Sequence, residues 1–306
     1  MKKGIYLVII TAIISGLANF FNKFGLQSLG KNAFQYTTLK NVVVALILSL
    51  IILTPVIWPK LRRLAKKDWL MLFLIAAIGG SFAFLLFFQG LSLTSAVNAS
   101  FIHKTLFIWV AILAWPILKE KISRLQFLAL GILILGNFIF DGFKFFRFGY
   151  AELLIFLATL MWAGESIVAK IALRNIDALV VAWGRMFFGS IILIGFLAVT
   201  KNTAGLLNLN FFQLGWLLLV SVFLTGYVIT WYSALKRLPI TVVACFLVLA
   251  SPITAFLNAA FVTHKISTQN IVGMVLILLG VLLFWQLQEK FKIQNVKIRM
   301  TIYPIK

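Results

Sequence analysis

The sequence predicts an all-α membrane protein, with ten transmembrane helices arranged as two inverted five-helix repeats and both termini cytoplasmic. Three observations predict it. Apolar residues make up 62% of the 306-residue chain and charged residues only 11%, against roughly half and a quarter in soluble domains. Apolar stretches of about 20 residues, enough to span a bilayer, recur from residue 5 to residue 287 with short breaks. The motif EKIS (120–123) returns as HKIS (264–267), 144 residues later.

The spans fall near 5–24, 34–54, 69–89, 95–117, 123–140, 150–173, 178–200, 211–232, 239–262 and 268–286. Their hydrophobicity is continuous rather than alternating, which makes them helices and not strands of a barrel. The opening, MKKGIYLVIITAIISGLANFF, has the basic start of a signal peptide. No small-x-small cleavage pattern closes it, so it reads as helix 1.

Orientation follows from the basic residues. One side of the membrane receives Lys2, Lys3, Lys60, Arg62, Arg63, Lys66, Lys67, Lys119, Lys121, Arg124, Lys170, Arg174, Lys236, Arg237, Lys290, Lys292, Lys297, Arg299 and Lys306. The other receives only Lys31, Lys144, Arg147, Lys201 and Lys265, while Lys23, Lys40, Lys104 and Arg185 fall inside or at the ends of spans. The positive-inside rule then puts both termini in the cytoplasm and the 141–149 loop in the periplasm. The expected organisation is one repeat over 4–141, a second over 149–287 and a basic cytoplasmic tail over 288–306 that can lie on anionic lipid. The protein is expected to be multi-pass in the cell (inner) membrane.

Sliding the chain on itself by 144 residues sets Gly136 on Gly280, Phe140 on Phe284 and Leu91 on Leu235. At a similar offset of 147, Lys23 and Leu26 fall on Lys170 and Leu173. Helix 1 therefore corresponds to helix 6, and an odd number of helices per repeat forces the second copy to enter from the opposite side. Inverted repeats around a midplane site let two similar halves exchange conformations and swap the open side.

Composition also excludes function classes. The 28 Lys and Arg against 7 Asp and Glu give a net charge of +21, but these residues lie between spans or in the tail, where they set orientation rather than grip nucleic acid. The single cysteine, Cys245, excludes an intramolecular disulfide and a cysteine-based metal cluster. The sequence carries no Walker motif, Gly-rich nucleotide loop, metal-ligand cluster or nucleophilic triad. An enzyme, a cofactor, a bound metal and ATP-driven transport by this chain alone are not expected.

The segments GLSLTSAVNAS (90–100), EKIS (120–123) and LGNFIF (135–140), echoed by ALKRLPITVVA (234–244), SPITAFLN (251–258), HKIS (264–267) and LLGVLLF (278–284), resemble the drug/metabolite transporter superfamily. The likeness is to its EamA-type family of paired five-helix domains and covers residues 4 to about 287. It implies transport of a metabolite without naming the cargo. One departure is His264, where the family usually carries an acidic residue like Glu120 of the first repeat.

Glu165, within WAGES (162–166), is the carboxylate clearly inside a span. An ionisable group there costs at least about 2.5–3.5 kcal/mol on insertion scales, so it must face a cavity or a partner. Two readings stand: a proton-coupling or substrate-ammonium site, or half of a neutralised structural ion pair with Arg185. Both residues lie ten positions from Asn175, in the hairpin between helices 6 and 7, and hence at similar depth. Arg185 otherwise snorkels to the cytoplasmic headgroups; Lys104 suits a substrate carboxylate or phosphate, and His103 relays protons or is merely satisfied by a neighbour.

Ser15, Asn19 and Asn22 form a polar stripe on helix 1, and Ser251, Thr254 and Asn258 one on helix 9, which either line a pathway or bond helices together. Pro252 is expected to kink helix 9. Trp162, Trp231 and Tyr232 either stack a planar substrate or anchor the interface. The candidate substrate-binding set is Lys104, Glu165, His103, Asn19, Trp162, Asn22, Ser251 and Trp231, with Lys104 and Glu165 expected to line one cavity.

The resulting expectation is a secondary transporter that exports a small polar or zwitterionic metabolite such as an amino acid. The alternatives are a passive channel, a lipid-handling protein or a non-transporting scaffold subunit. Expected partners are the small-molecule substrate and the lipid bilayer, with proton coupling and a homodimer left open; no nucleic acid is expected.

Overall fold

Each apolar stretch becomes a helix because the backbone groups of a spanning segment have no water to bond and must satisfy one another. The computed structural model describes residues 2–30, 32–94, 96–120, 122–141 and 149–302, with the backbone alone at 96, 97, 100, 141 and 291–302. Helices α1 (Lys2–Ser28), α2 (Ala33–Ile52), α3 (Lys66–Leu93), α4 (Ala96–Leu118) and α5 (Arg124–Asp141) form the first half. In the second half are α6 (Tyr150–Ala172), α7 (Ala178–Val199), α8 (Phe211–Arg237), α9 (Ile240–Thr263) and α10 (Thr268–Ile302). A short helix, Trp58–Arg62, joins α2 to α3.

Polar caps fix several helix starts. Asn32 accepts from the Gln35 N–H, Asp177 from Leu179 N–H and Asn210 from Gln213 N–H, each satisfying an orphan donor of the first turn. At the end of α8, Lys236 and Arg237 complement the carbonyls of the last turn, and the helix runs beyond the expected 232. Helix α10 continues to Ile302, into the residues expected as a tail. Lys31, Lys121, most of the 141–149 loop including Lys144 and Arg147, and Lys306 lie outside the described residues.

Three of the helices are not regular throughout. In α3, residues Ala76–Phe82 form a π-helical stretch, the kind of widened turn that recurs at functional sites. Helix α4 breaks at Thr105, between Ala96–Lys104 and Leu106–Leu118. Helix α9 breaks between Leu247 and Ala250. Pro252 explains the second break, since it has no N–H to offer the carbonyl of Val248. At Thr105 the hydroxyl donates to the Ile102 carbonyl at 2.7 Å and accepts from the Trp109 indole at 3.1 Å. The offset of 144 maps Thr105 onto Leu249, so the two breaks are equivalents in the two repeats.

The packing repeats as well. Helix α1 packs on α8 and α9 of the other half, just as α6 packs on α3 and α4. Equivalents also pack on each other, α2 with α7, α4 with α9 and α5 with α10, while α7 packs on α3 as α2 packs on α8. Where α5 crosses α10, a side chain on Gly136 would come within 2.9 Å of the Ile277 backbone nitrogen, and one on Gly280 within 2.7 Å of Leu133. These aligned glycines thus do the same work on either side of the crossing. The first helix of each repeat is embedded in the other repeat, so a change in one half is felt in both.

Candidate functional site

The two helix breaks face each other. His103, Lys104, Leu106 and Phe107 from the break in α4, and Ala244, Leu247, Val248 and Ala250 from that in α9, line a narrow cavity with Ser15 and Asn19 of α1. An interrupted helix frees backbone polar groups inside the membrane, which is tolerated where they line a cavity or are buried in protein. Lys104 is 9% exposed, and its ammonium lies 5.9 Å from the Phe140 ring.

A second polar centre is built on the π-helical stretch of α3. The Gly79 carbonyl accepts from the Trp162 indole and from the Arg185 guanidinium, each at 3.0 Å. Glu165 presses on the same glycine: a Cβ there would lie 2.4 Å from Glu165 Cγ. Next door, a Cβ on Gly80 would meet the Arg185 carbonyl at 2.3 Å. Two glycines in the widened turn therefore let α3 approach α6 and α7 closely enough for these contacts. Glu165 is 1% exposed and Arg185 4%.

The Tyr232 hydroxyl lies 2.5 Å from Glu165 Oε1 and donates to it, while the Tyr232 ring lies 5.9 Å from Arg185 Cζ. The expected ion pair is thus indirect, with Glu165 and Arg185 in one cluster and Tyr232 against both. Equal depth on neighbouring helices sets their level, but it carries no information about rotation around the helix axes. The Arg185 Nε has no hydrogen-bond partner.

The two centres meet through aromatic rings. His103 packs edge-on against Trp162 at 4.9 Å and Phe87 at 5.3 Å. From Lys104 the route to Glu165 runs through His103, Trp162 and Gly79; Glu165 does not line the Lys104 cavity.

The other expected residues divide. Asn19 lines the cavity. Ser251 is buried, follows the cavity-lining Ala250 in sequence and has no hydroxyl partner, while Thr254 bonds the Gly16 carbonyl at 2.9 Å and so ties α9 to α1. Trp231 stacks on Tyr227 at 5.9 Å. Asn22 serves a third group: its carbonyl oxygen accepts from the Tyr36 hydroxyl at 2.5 Å and from the Lys40 ammonium at 3.0 Å.

Lys40, which sequence reasoning set aside as lying inside or at the end of a span, is 2% exposed. Its ammonium faces the rings of Phe88, Tyr36 and Phe84 at 4.1, 4.8 and 5.8 Å. Phe84 also lies against Arg185, at 5.5 Å, and joins this group to the second centre. The signal available in the sequence was the position of Lys40, seven residues into α2 and thus about 10 Å from its start.

Among the described residues, nine helices long and apolar enough to cross a membrane and one shorter apolar helix, α5, form two interlocked five-helix repeats, with broken helices meeting beside buried ionisable groups; this defines the class as a polytopic membrane protein with the architecture of a transporter. The model of the EamA-like transporter family matches residues 2–140 and again 149–286, and the chain belongs to that family. An uncharacterized transporter of Methanothermobacter thermautotrophicus is 27% identical over 73% of this chain and 66% of its own length. The chain thus spans just under two thirds of that relative. The uncharacterized transporter YyaM of Bacillus subtilis is 26% identical over 69% of this chain and 71% of its own. A protein of known crystal structure shares the fold with a TM-score of 0.72 at 13% identity, covering 93% of this chain and 98% of that one.

Proposed function

We propose that the chain is a secondary transporter that exports a small zwitterionic metabolite, an amino acid or similar solute, across the cell membrane. The observation that carries this reading is the facing pair of helix breaks at repeat-equivalent positions, with Lys104 in the cavity between them. In this reading Lys104 holds the substrate carboxylate, Glu165 receives its ammonium group or a coupled proton, and the His103–Trp162 contact separates the two. Alternating exposure comes from the two halves exchanging conformations. The charge asymmetry of the loops supports cytoplasmic termini.

A substrate panel measured in proteoliposomes, with and without a pH gradient, tests the reading. Lys104→Ala and Glu165→Gln, checked first for expression, are expected to lower transport by about tenfold or more, the loss for one charge-assisted bond. Transport by both variants at the wild-type rate across pH would remove these residues from the site.

One observation favours a second reading, handling of amphipathic solutes. Phe101, Ile108, Trp109, Ile134, Phe138 and Phe156 line an apolar cavity of about 240 Å³ between α4, α5 and α6, which also includes Lys104. Saturable transport of lipid-like substrates with none of small zwitterions would favour it.

A further inference from the structure

We infer that Lys40 is a second carboxylate-binding cation of the transport pathway, the first-repeat counterpart of Arg185; the inference rests on the reading that the buried polar groups bind substrate. Helices α2 and α7 are repeat equivalents that pack on each other. Lys40 follows the first residue of α2, Ala33, by seven positions, and Arg185 follows the first residue of α7, Ala178, by the same number. Because the repeats are inverted, the two cations enter from opposite faces to matching depths. Phe84 packs against both.

The surroundings of the two cations differ in one respect. Arg185 has the Glu165 cluster beside it. The offset of 147 puts Ala18 where the second repeat has Glu165, and the first acidic residue of the whole chain is Asp68. In place of a carboxylate, Lys40 meets the Asn22 carbonyl oxygen and three aromatic rings. Next to it, Asn41 is fully buried and neither end of its amide has a partner. A buried ammonium with no counter-ion among the described residues is costly unless a ligand completes it, and so is a buried unpaired amide.

The charge count selects the ligand. Lys40 and Arg185 against Glu165 leave one positive charge in the joined groups, which one monoanionic carboxylate neutralises. Lys40 supplies the ammonium donors. The aromatic cage excludes water and strengthens the pairing. A substrate carrying a carboxylate thus fills in the first repeat the role that Glu165 fills in the second.

The purified full-length protein in detergent tests this by thermal stabilisation with three matched probes: L-leucine, 4-methylpentanoate, which lacks the amine, and 3-methylbutylamine, which lacks the carboxylate. Both carboxylates are expected to stabilise the wild type and the amine is not. Lys40→Met should weaken carboxylate binding by at least about tenfold, and Lys40→Arg should keep it within a few-fold. Asn22→Asp places a carboxylate on the Lys40 ammonium with little change in volume and should abolish binding in a folded protein. It therefore decides the matter if the Met variant does not fold.

Stabilisation by the amine equal to that by the carboxylates, none by either carboxylate, or unchanged binding in Asn22→Asp overturns the inference. If Lys104→Ala and Glu165→Gln transport normally while Lys40→Met loses carboxylate binding, the earlier site assignment fails and this one stands. Loss in Lys104→Ala with Lys40→Met unaffected overturns Lys40 alone.

Discussion

At the end of the bundle that carries Glu120, charged side chains hold one helix to another. The Glu120 carboxylate, on the turn between α4 and α5, accepts from the N–H groups of Ile240 and Thr241 at 2.9 and 3.3 Å and from the Thr241 hydroxyl at 2.8 Å. Lys170 of α6 donates to the carbonyls of Leu235 and Leu238 at the end of α8, and Lys236 to that of Ile176. At the opposite end, amides do most of this work. Gln35 bonds the carbonyls of Asn202 and Ala204, Gln213 that of Leu29, and Asn270 that of Phe140. Among the described residues, the charged tie at that end is Glu152, which accepts from the Thr94 hydroxyl.

Bonds with an ionised partner are about twice as strong as neutral ones, and a carboxylate at a helix N-terminus also meets the positive end of its dipole. The Glu120 end is therefore the more firmly fastened of the two. It is also the end that receives most of the Lys and Arg residues.

The largest effect is expected from Glu120→Ala, which strands two N–H groups at the start of α9. The loss should be about 1–3 kcal/mol, read as a lower apparent melting temperature in detergent. Glu152→Ala, at the other end, should cost less than half of that. Equal losses would erase the difference between the two ends.

A smaller effect sharpens the comparison. Family resemblance suggests that an acid at position 264 would recreate the Glu120 tie, but the backbone does not match. Left-handed backbone occurs at Lys119, φ 57°, in the first repeat and at His264 itself, φ 51°, in the second. The turn is thus out of register by one residue, because 119 aligns with 263. His264→Glu is expected to leave stability within about 0.5 kcal/mol, whereas His264→Gly should raise it by up to about 1 kcal/mol by relieving the left-handed strain. Marked stabilisation by the Glu variant would show that the turns are equivalent after all.

The sequence carried the helices and the repeat because both are one-dimensional signals, namely length of apolar run and offset. Burial of Glu165 and Arg185 was legible for the same reason, since depth follows from counting residues along a helix. Rotation about a helix and departures from regular helix were not legible. Nothing in AAIGGSF (76–82) announces a π-helical turn whose Gly79 carbonyl gathers Trp162 and Arg185. Tyr232, read as stacking a planar substrate or anchoring the interface, has a further role that no sequence pattern announced, a hydroxyl bond to Glu165. Lys40 was counted as one more basic residue, although Asn22, its partner, already stood out in the polar stripe of α1. The break at Thr105 had no proline to mark it; only its equivalence to the Pro252-linked break in α9 would have pointed there.

The smallest expected effect concerns the most exposed tie at the Glu120 end. Lys60, in the short helix before α3, pairs with Asp177 at 2.8 Å, with the two side chains 47% and 26% exposed. Partial burial alone would raise the Asp177 pKa, but the Lys60 hydrogen bond, the Leu179 N–H and the charges of Lys60 and Lys236 outweigh it and hold the carboxyl below its usual range. A depressed carboxyl pKa contributes stability that is fully present above the unfolded value, near 4, and is lost as pH falls through the folded one. Solvent screening of an exposed pair limits the contribution to under about 1 kcal/mol. Melting curves between pH 6 and pH 3 should therefore fall slightly more steeply for the wild type than for Asp177→Asn, which keeps the cap on Leu179 and removes only the charge. Lys60→Met should flatten the curve partway, because the Leu179 bond and Lys236 remain. If wild type and Asp177→Asn lose stability in parallel, the pair contributes nothing, and the fastening of this end rests on the carboxylate of Glu120 and the ammonium of Lys170.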